Sequence, residues 1–557
     1  IIPARGKKEV IQKLKVSHPK LWDINAPNLY DAHISILDND KIIDTYSQSF
    51  GIRTIHYSVK GFFLNGRKLD LNGGCVHHDN GILGAAAFDR AEFRKVQMMK
   101  SAGFNALRTS HNLPSEAFLE ACDRLGMLVI DEAFDGWREA KTPHDYASLF
   151  DKYWQQDIEG MVLRDLNHPS IIAWSIGNEV IERKKIEVVT TAHKLASKIR
   201  EYDNRPITSA LAAWDSAWEI YDPLAAELDI TGYNYMIHKH AEDHQRVPDR
   251  VMWQTESYAK DTYQNWSLVH DFDYIIGDFI WTGIDYLGES GIGRWWYDGD
   301  VPGEHYERPL YPWHAAYCGD IDLTGWRKPI SHYRNLLYND TEKLYMAVRE
   351  PDGYYGKIRT GLWTAYPTWE SWNWPGHEGK NIEVEVYSKY PIVRLYLDDK
   401  LVGEKVVGRE TEMKAVFSLP FKPGTLKVEG VENGVVKDAK MLSSASEPVA
   451  IRTKVENREM KADGTDLSFV QIEIVDREGR VCPNASVELE AIVTGSGVLA
   501  ALGNADIKDP DTYADQIHKS WKGRALAVVR STKKAGKVKL TIKSKGLKTS
   551  AEIIQSR

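Results

Sequence analysis

Between residues 60 and 290, short apolar runs alternate with helical stretches, and few folds accept that order. The runs span 70–77, 106–112, 128–135, 172–179, 207–213, 229–235, 250–256 and 277–285. Helical stretches separate most of them. One opens on Asp89 as an N-cap with Glu92 three residues on, carries Phe93, Val96 and Met99 at helical spacing, and closes near Gly103. A second runs from Ser115 to Gly126. A third spans about Asp151 to Leu166 and stops ahead of Pro169. Eight such alternations over roughly 230 residues predict a (β/α)8 barrel, a TIM barrel. A doubly wound open sheet is the alternative.

A barrel of this kind carries its functional groups at strand C-termini. The runs end on His77, His78 and Asp79; on His111 and Asn112; on Asp131, Glu132 and Asp135; on Asn178 and Glu179; on Tyr233, Asn234 and Tyr235; on Glu256; and on Trp281. Packing alone does not give seven of eight strands such ends. The two glutamates weigh most. The run from Ile172 stops at Asn178 and Glu179, and the run from Val251 stops at Glu256. A buried strand has no structural use for a carboxylate at its tip, because an unpaired buried charge costs several kcal/mol or shifts its pKa. Two carboxylates facing one mouth are what cleavage of a glycosidic bond needs: one protonates the leaving oxygen, and the other attacks the anomeric carbon or activates water.

Neighbouring residues fit that chemistry. Asn178 is placed to bind a sugar hydroxyl, and Tyr235 to donate to the nucleophilic carboxylate and keep it ionised. A lone histidine is more often a satisfied core residue, but His111 follows Arg108, Thr109 and Ser110 at a strand end, which favours a functional role. Arg108 itself reads as an internal partner for a barrel carboxylate. The chain holds 18 Trp and 27 Tyr. Aromatic faces stack on sugar C–H faces, although each Trp taken singly is equally good core filler.

The flanks read as β-structure. Residues 1–58 contain strand-like runs at Val10–Val16, Leu29–Leu37 and Ile42–Phe50, with a turn at Asp38–Asp40. Three or four strands are too few for a sandwich of about seven, so this segment reads as the back of an immunoglobulin-like β-sandwich whose front is missing. The barrel is placed at 59–338. After it, alternation at Ile382–Tyr387 and Val393–Leu397, then at Val449–Val455, Phe469–Val475, Ser486–Ile492 and Val538–Ile542, predicts two immunoglobulin-like sandwiches, 339–445 and 446–557. Their simplest role is structural; accessory sugar binding is the alternative.

With 71 basic and 79 acidic residues the net charge is −8, without a single-sign block, which gives no footprint for nucleic acid. No run of 18 apolar residues offers a membrane span. Cys75, Cys122, Cys318 and Cys482 have no metal-binding spacing and are expected as buried thiols. No signal peptide is seen, and the sequence starts without Met.

Three segments carry a family resemblance: Asn105–His111 (NALRTSH), Asp131–Asp135 (DEAFD) and the long stretch Arg164–Glu179 (RDLNHPSIIAWSIGNE). They resemble glycoside hydrolase family 2, the family of the large β-galactosidases, β-glucuronidases and β-mannosidases. Pro19–Trp22 and Phe50–Arg53 resemble the family's immunoglobulin-like domain ahead of the barrel, so the likeness covers roughly residues 15–338. It implies a retaining mechanism with Glu179 as acid/base and Glu256 as nucleophile. It also implies that Tyr235, His111, Asn178 and Trp281 belong to the sugar site. Asp79 and Asp135 join them as strand-end candidates. The family's jelly-roll domain is not seen, and Asn112-Leu113-Pro114 stands where many members have Tyr-Pro. The glucuronate-gripping Asn-x-Lys motif has no match between Gly291 and Lys328, whereas Trp281–Glu289 resembles β-galactosidase-like members. Asp285 and Glu289 would accept from neutral sugar hydroxyls and repel an acidic sugar. The expectation is therefore a retaining exo-β-glycosidase of the β-galactosidase type. The alternatives are a β-glucuronidase or other β-glycosidase of the family, or a non-catalytic carbohydrate-binding protein. The mechanism requires no cofactor, and no spacing supports Mg2+ or Na+. By analogy the compartment is extracellular or periplasmic, and the partner is a carbohydrate.

Overall fold

The computed structural model describes residue 6 and residues 8–212, 218–304 and 310–557. Ala213, the end of the fifth predicted run, lies outside them, as do residues 1–5 of the expected partial sandwich and part of the stretch from Gly291 to Lys328.

Eight parallel strands form a closed barrel: β1 (Leu71–Val76), β2 (Ala106–Thr109), β3 (Leu128–Glu132), β4 (Ile171–Asn178), β5 (Ile207–Leu211), β6 (Ile230–Asn234), β7 (Met252–Tyr258) and β8 (Ile275–Trp281). The last strand closes on the first with Gly277 opposite Leu71 and Phe279 opposite Gly73. Gly73 is required there, since a Cβ would lie 2.3 Å from the Phe279 ring. Side chains alternate between the barrel interior and the helix layer. Ala106, Leu128, Ile130, Ile172, Trp253 and Phe279 fill the lower interior. Leu107, Val129, Trp174, Ile176 and Ile280 face the helices.

Helices α1 (Asp89–Ser101), α2 (Glu116–Leu125), α3 (Ala147–Asp165), α4 (Glu187–Arg200), α5 (Asp222–Ala225), α6 (His240–Arg246), α7 (Thr262–Asp271) and α8 (Pro329–Tyr338) form the outer ring. Helix α2 keeps its predicted signals: Ser115 Oγ accepts the Phe118 N–H at 3.2 Å, and Gly126 ends the helix at φ 72°. Helix α1 differs. Asp89 lies inside its first turn and Phe88 is the N-cap, without a side-chain cap. Glu92 instead accepts from Asn80 Nδ2 at 2.9 Å and pairs with Lys95, so tertiary partners displace the capping box.

Asp131 is a correction to the strand-end reading. It points out of the barrel, fully buried, toward Asp165 of α3, and burial together with Asp165 holds its pKa well above the carboxylate range. A carboxyl raised by folding stabilises the native state at low pH and loses that contribution as pH rises through its folded pKa. Asp131→Asn should therefore raise the thermal midpoint, and by more at pH 8 than at pH 4, in a melting series across pH.

Below the barrel, the short sheet Ile55–Ser58, Gly61–Leu64, Arg67–Lys68 brings Phe62 and Leu64 under the lower interior beside Trp22. In the N-terminal segment Trp22–Asp23 pairs with Ala26–Pro27, and a longer hairpin joins Tyr30–Asp38 to Lys41–Phe50, turning at Asn39 and Asp40 with φ 48° and 63°. Its Ile34, Ile36, Ile42 and Tyr46 are exposed. The run Val10–Val16, expected as a strand, forms none. Ladder hydrogen bonds need a partner strand, and none of the described residues offers it one.

Two sandwiches follow. The first packs the sheet containing Leu344–Arg349 and Asn381–Ser388 against the sheet containing Ile392–Leu397 and Thr425–Glu432. The second packs the sheet of Leu467–Val475 and Arg524–Ser531 against that of Gly536–Lys543 and Ser550–Ser556. Both dock on the barrel through apolar contacts. Tyr387 stacks on Tyr333 of α8 at 4.4 Å, and Phe469, Leu526 and Val528 pack on Ile82 and Ala91. All four cysteines are free and buried. Among the described residues, no helix is long and apolar enough to cross a membrane.

Candidate active site

The site is built around a buried cation. Arg108, at the C-terminal end of β2, is fully buried. Its Nε and Nη2 fork onto Glu132 of β3 at 2.8–2.9 Å. Its Nη1 donates to Glu256 Oε1 of β7 at 2.9 Å, and Nη2 also donates to Asn178 Oδ1 at 2.9 Å. One planar guanidinium thus fixes three strand ends, a geometry that Lys cannot reproduce. Burial opposes the charge on Glu132, but Arg108, His111 and Ser175 outweigh it and hold the carboxyl below its ordinary range. His111 sets Nδ1 2.7 Å from Glu132 Oε1 and Nε2 3.8 Å from Glu256 Oε1. Burial disfavours its imidazolium, yet Glu132 and Asp135 raise its pKa above the ordinary value.

The two strand-end glutamates occupy different surroundings. Glu256 faces the Arg108 cation and the Tyr235 hydroxyl, which hydrogen-bonds its carboxylate. Tyr235 reaches back over β7 because it adopts φ 59° and donates its N–H to the Glu256 carbonyl at 2.8 Å. Among the described residues, no Lys or Arg forms an ion pair with Glu179. Asn234 Nδ2 donates to its Oε1 at 2.8 Å, and the Asn234 carbonyl is fixed by Thr255 Oγ1 at 2.6 Å. Burial first, then the charge of Glu256, push the Glu179 pKa up. The Arg108 cation and the Tyr235 phenol thus face Glu256, while Glu179 is biased toward its acid form, the kind of unlike pair that acid–nucleophile chemistry uses.

The remaining predicted residues fall into two sets. Asn178 donates to Asp135 Oδ1 at 3.0 Å, and Asp135 also pairs with Lys141 at 2.6 Å. Against desolvation, His111 and Lys141 hold the Asp135 carboxyl at about 2. Trp281 stacks on His111 with ring centres 5.1 Å apart and donates to the Tyr286 hydroxyl, which bonds Glu289. Hydrogen bonds and ring contacts tie these groups into one cluster around Arg108 and His111. Asp285 does not join them. It is enclosed, bound by Lys328 Nζ at 2.7 Å and by the Gly319 N–H at 2.8 Å, with burial pushing its pKa to about 7. Both bonds fall on Oδ1, and Oδ2 is buried with no hydrogen-bond partner among the described residues; the side chain ties down the loop after β8 instead of joining the cluster, which corrects its expected role. Asp79 is also buried and accepts the Leu287 N–H at 3.1 Å, anchoring the same loop.

Three contributors escaped the sequence reading. Glu132 and Asn234 appeared only as strand ends, although they orient Arg108 and Glu179. Trp363, from the loop that precedes Asn381–Ser388, donates to the Tyr235 hydroxyl at 2.9 Å. Its only sequence signal was membership of the Trp-rich set. Among the described residues, no His, Cys, Asp and Glu cluster could hold a metal ion.

A closed barrel with two unlike glutamates at its mouth defines a hydrolase of glycosidic bonds. The chain belongs to glycoside hydrolase family 2. Residues 55–300 match the "Glycosyl hydrolases family 2, TIM barrel domain" and residues 2–53 match "Glycosyl hydrolases family 2". Residues 451–552 match "Glycoside hydrolase family 2 C-terminal domain 5", and residues 379–436 a domain of unknown function. The β-galactosidase BoGH2A of Bacteroides ovatus is 32% identical over 98% of this chain and 68% of its own length. A putative β-glucuronidase of Formosa agariphila is 26% identical over 89% of this chain and 49% of its own length. The crystal structure of a family 2 member from Bacteroides cellulosilyticus superposes with a TM-score of 0.91 at 39% identity, covering 97% of this chain and 69% of that one. The chain thus spans between half and about two thirds of these relatives.

Proposed function

We propose that the chain is the catalytic part of a retaining exo-β-glycosidase that removes terminal neutral β-sugars, β-galactosides first. The observation that carries this is the unlike setting of the two glutamates. Glu179, biased toward its acid form, protonates the leaving oxygen. Glu256, oriented by Arg108 and Tyr235, attacks the anomeric carbon. Water then releases the glycosyl-enzyme with Glu179 acting as base. The double displacement uses these side chains alone and calls on no metal or cofactor. His111, Asn178 and Trp281 wall the sugar, and Glu289 and Asp135 favour a neutral one. Support for galactose comes from the B. ovatus relative, which is named a β-galactosidase.

A second reading, an acidic sugar, rests on Lys141, a cation at the mouth, and on relatives named as β-glucuronidases. The pairing of Lys141 with Asp135 at 2.6 Å argues for the neutral sugar. A panel of nitrophenyl glycosides separates the two. Turnover of the β-galactoside above the β-glucuronide is expected, and the reverse order would transfer the assignment. Proton NMR of the first product should show the β-anomer; an α-anomer first would contradict retention. The raised Glu179 pKa also has a consequence for rate. The acid must be protonated for the first step, so kcat/KM should fall on the alkaline side as Glu179 ionises, at a higher pH than an ordinary glutamate would give. A pH–rate profile checks this.

A further inference from the structure

Trp363 does not belong to the barrel. It lies between Leu344–Arg349 and Asn381–Ser388 of the first sandwich, in a loop that turns back onto the barrel mouth. There it meets the tyrosine that bonds the nucleophile. Its Nε1 is 2.9 Å from Tyr235 Oη, and its ring stands edge-on to Tyr235 and Tyr258, 5.8 and 5.6 Å between centres.

The direction of the hydrogen bonds is fixed by chemistry. An indole N–H only donates, so Tyr235 Oη accepts from Trp363. The phenolic proton is then left for Glu256, whose carboxylate only accepts when ionised. Without the indole, the hydroxyl is free to rotate toward another acceptor.

The loop is clamped to hold this alignment. Glu304, buried in the loop after β8, accepts from the Trp363 N–H at 3.3 Å, the Gly293 N–H at 3.2 Å and the Thr364 hydroxyl at 2.7 Å. The approach requires glycine at 361, where a Cβ would lie 1.8 Å from Glu304 Oε2.

We propose that Trp363 is a positioning residue for the nucleophile: its indole N–H directs the Tyr235 hydroxyl onto Glu256, so the first C-terminal sandwich completes the catalytic apparatus. This role rests on the glycosidase reading above. A hydrogen bond donated to a carboxylate favours its charged form, so losing the alignment should impair the nucleophile and leave sugar binding intact.

The test is Trp363→Phe, which keeps an aromatic ring and removes the N–H. On the best aryl glycoside, kcat should fall about tenfold, equivalent to about 1.4 kcal/mol, with KM nearly unchanged. Combined with Tyr235→Phe, the loss should be no greater than that of Tyr235→Phe alone, because both act through one hydrogen bond. Gly361→Ala, which displaces the loop and keeps the indole, should reproduce the fall in kcat with KM nearly unchanged. A rise in KM alone, or multiplying single effects, would overturn the proposal. An activity-independent reading comes from indole 15N NMR. The resonance that disappears in Trp363→Phe should shift in Tyr235→Phe. Absence of that shift overturns the proposal. The shift without any wild-type turnover supports the geometry and counts against the glycosidase reading alone.

Discussion

Glu256→Gln is expected to lower kcat/KM by about 10^4-fold or more on any substrate the wild type cleaves, the scale at which removing a nucleophile leaves only binding and the remaining polar groups. The amide keeps the shape and can still accept from Arg108 and Tyr235, so folding should be preserved and circular dichroism unchanged. Two further readings make the result specific. A 2-fluoro glycoside with a good leaving group should leave its mass on the peptide containing Glu256 in the wild type and not in the variant. The Glu256 charge, after burial, is what holds the Glu179 pKa up. Removing it should move the Glu179 titration to lower pH, measured by 13C NMR of labelled glutamate. Residual activity within tenfold of wild type would remove Glu256 from the nucleophile role.

The largest effect on stability is expected at Arg108. Arg108→Met leaves Glu132 enclosed without its cation and takes the same partner from Glu256. Breaking a buried pair from one side costs about 3–5 kcal/mol, because the remaining charge stays out of water. Denaturant unfolding followed through the barrel tryptophans should show that loss, and glycosidase activity should disappear with it. Arg108→Lys should restore little, since an ammonium cannot fork onto Glu132 and also reach Glu256 and Asn178. Glu132→Gln in the Arg108→Met background should recover part of the stability, because the stranded charge is gone, and none of the activity. If the double variant were no more stable than Arg108→Met, the cost would lie in packing and not in the unpaired carboxylate.

The order of strands and helices could be read from the sequence because barrel strands are short, apolar and local. Each of the eight runs predicted the place of a strand to within a few residues, and the helix signals at Ser115 and Gly126 held. Glu179 and Glu256 were legible for the same reason: a carboxylate that ends an apolar run is costly unless something answers it. Tertiary partners were not legible. Asp131 and Glu132 are adjacent in the chain, yet strand alternation sends Asp131 out to Asp165 and Glu132 in to Arg108. Asp285 looked like a sugar contact until Lys328, 43 positions away, was found on it.

By itself, then, the sequence determined a barrel, two β-sandwiches behind it and two strand-end glutamates, since hydrophobic period and the cost of buried charge are local properties of the chain. Only the tertiary structure decided which glutamate sits against the buried cation and which is biased toward its acid form. That choice depends on where Arg108, Tyr235 and Asn234 come to rest. It also decided that a sandwich loop carries Trp363 to the barrel mouth, 128 positions from Tyr235. Hydrogen bonds and charge interactions act over a few ångströms of space, and no spacing along the chain records them.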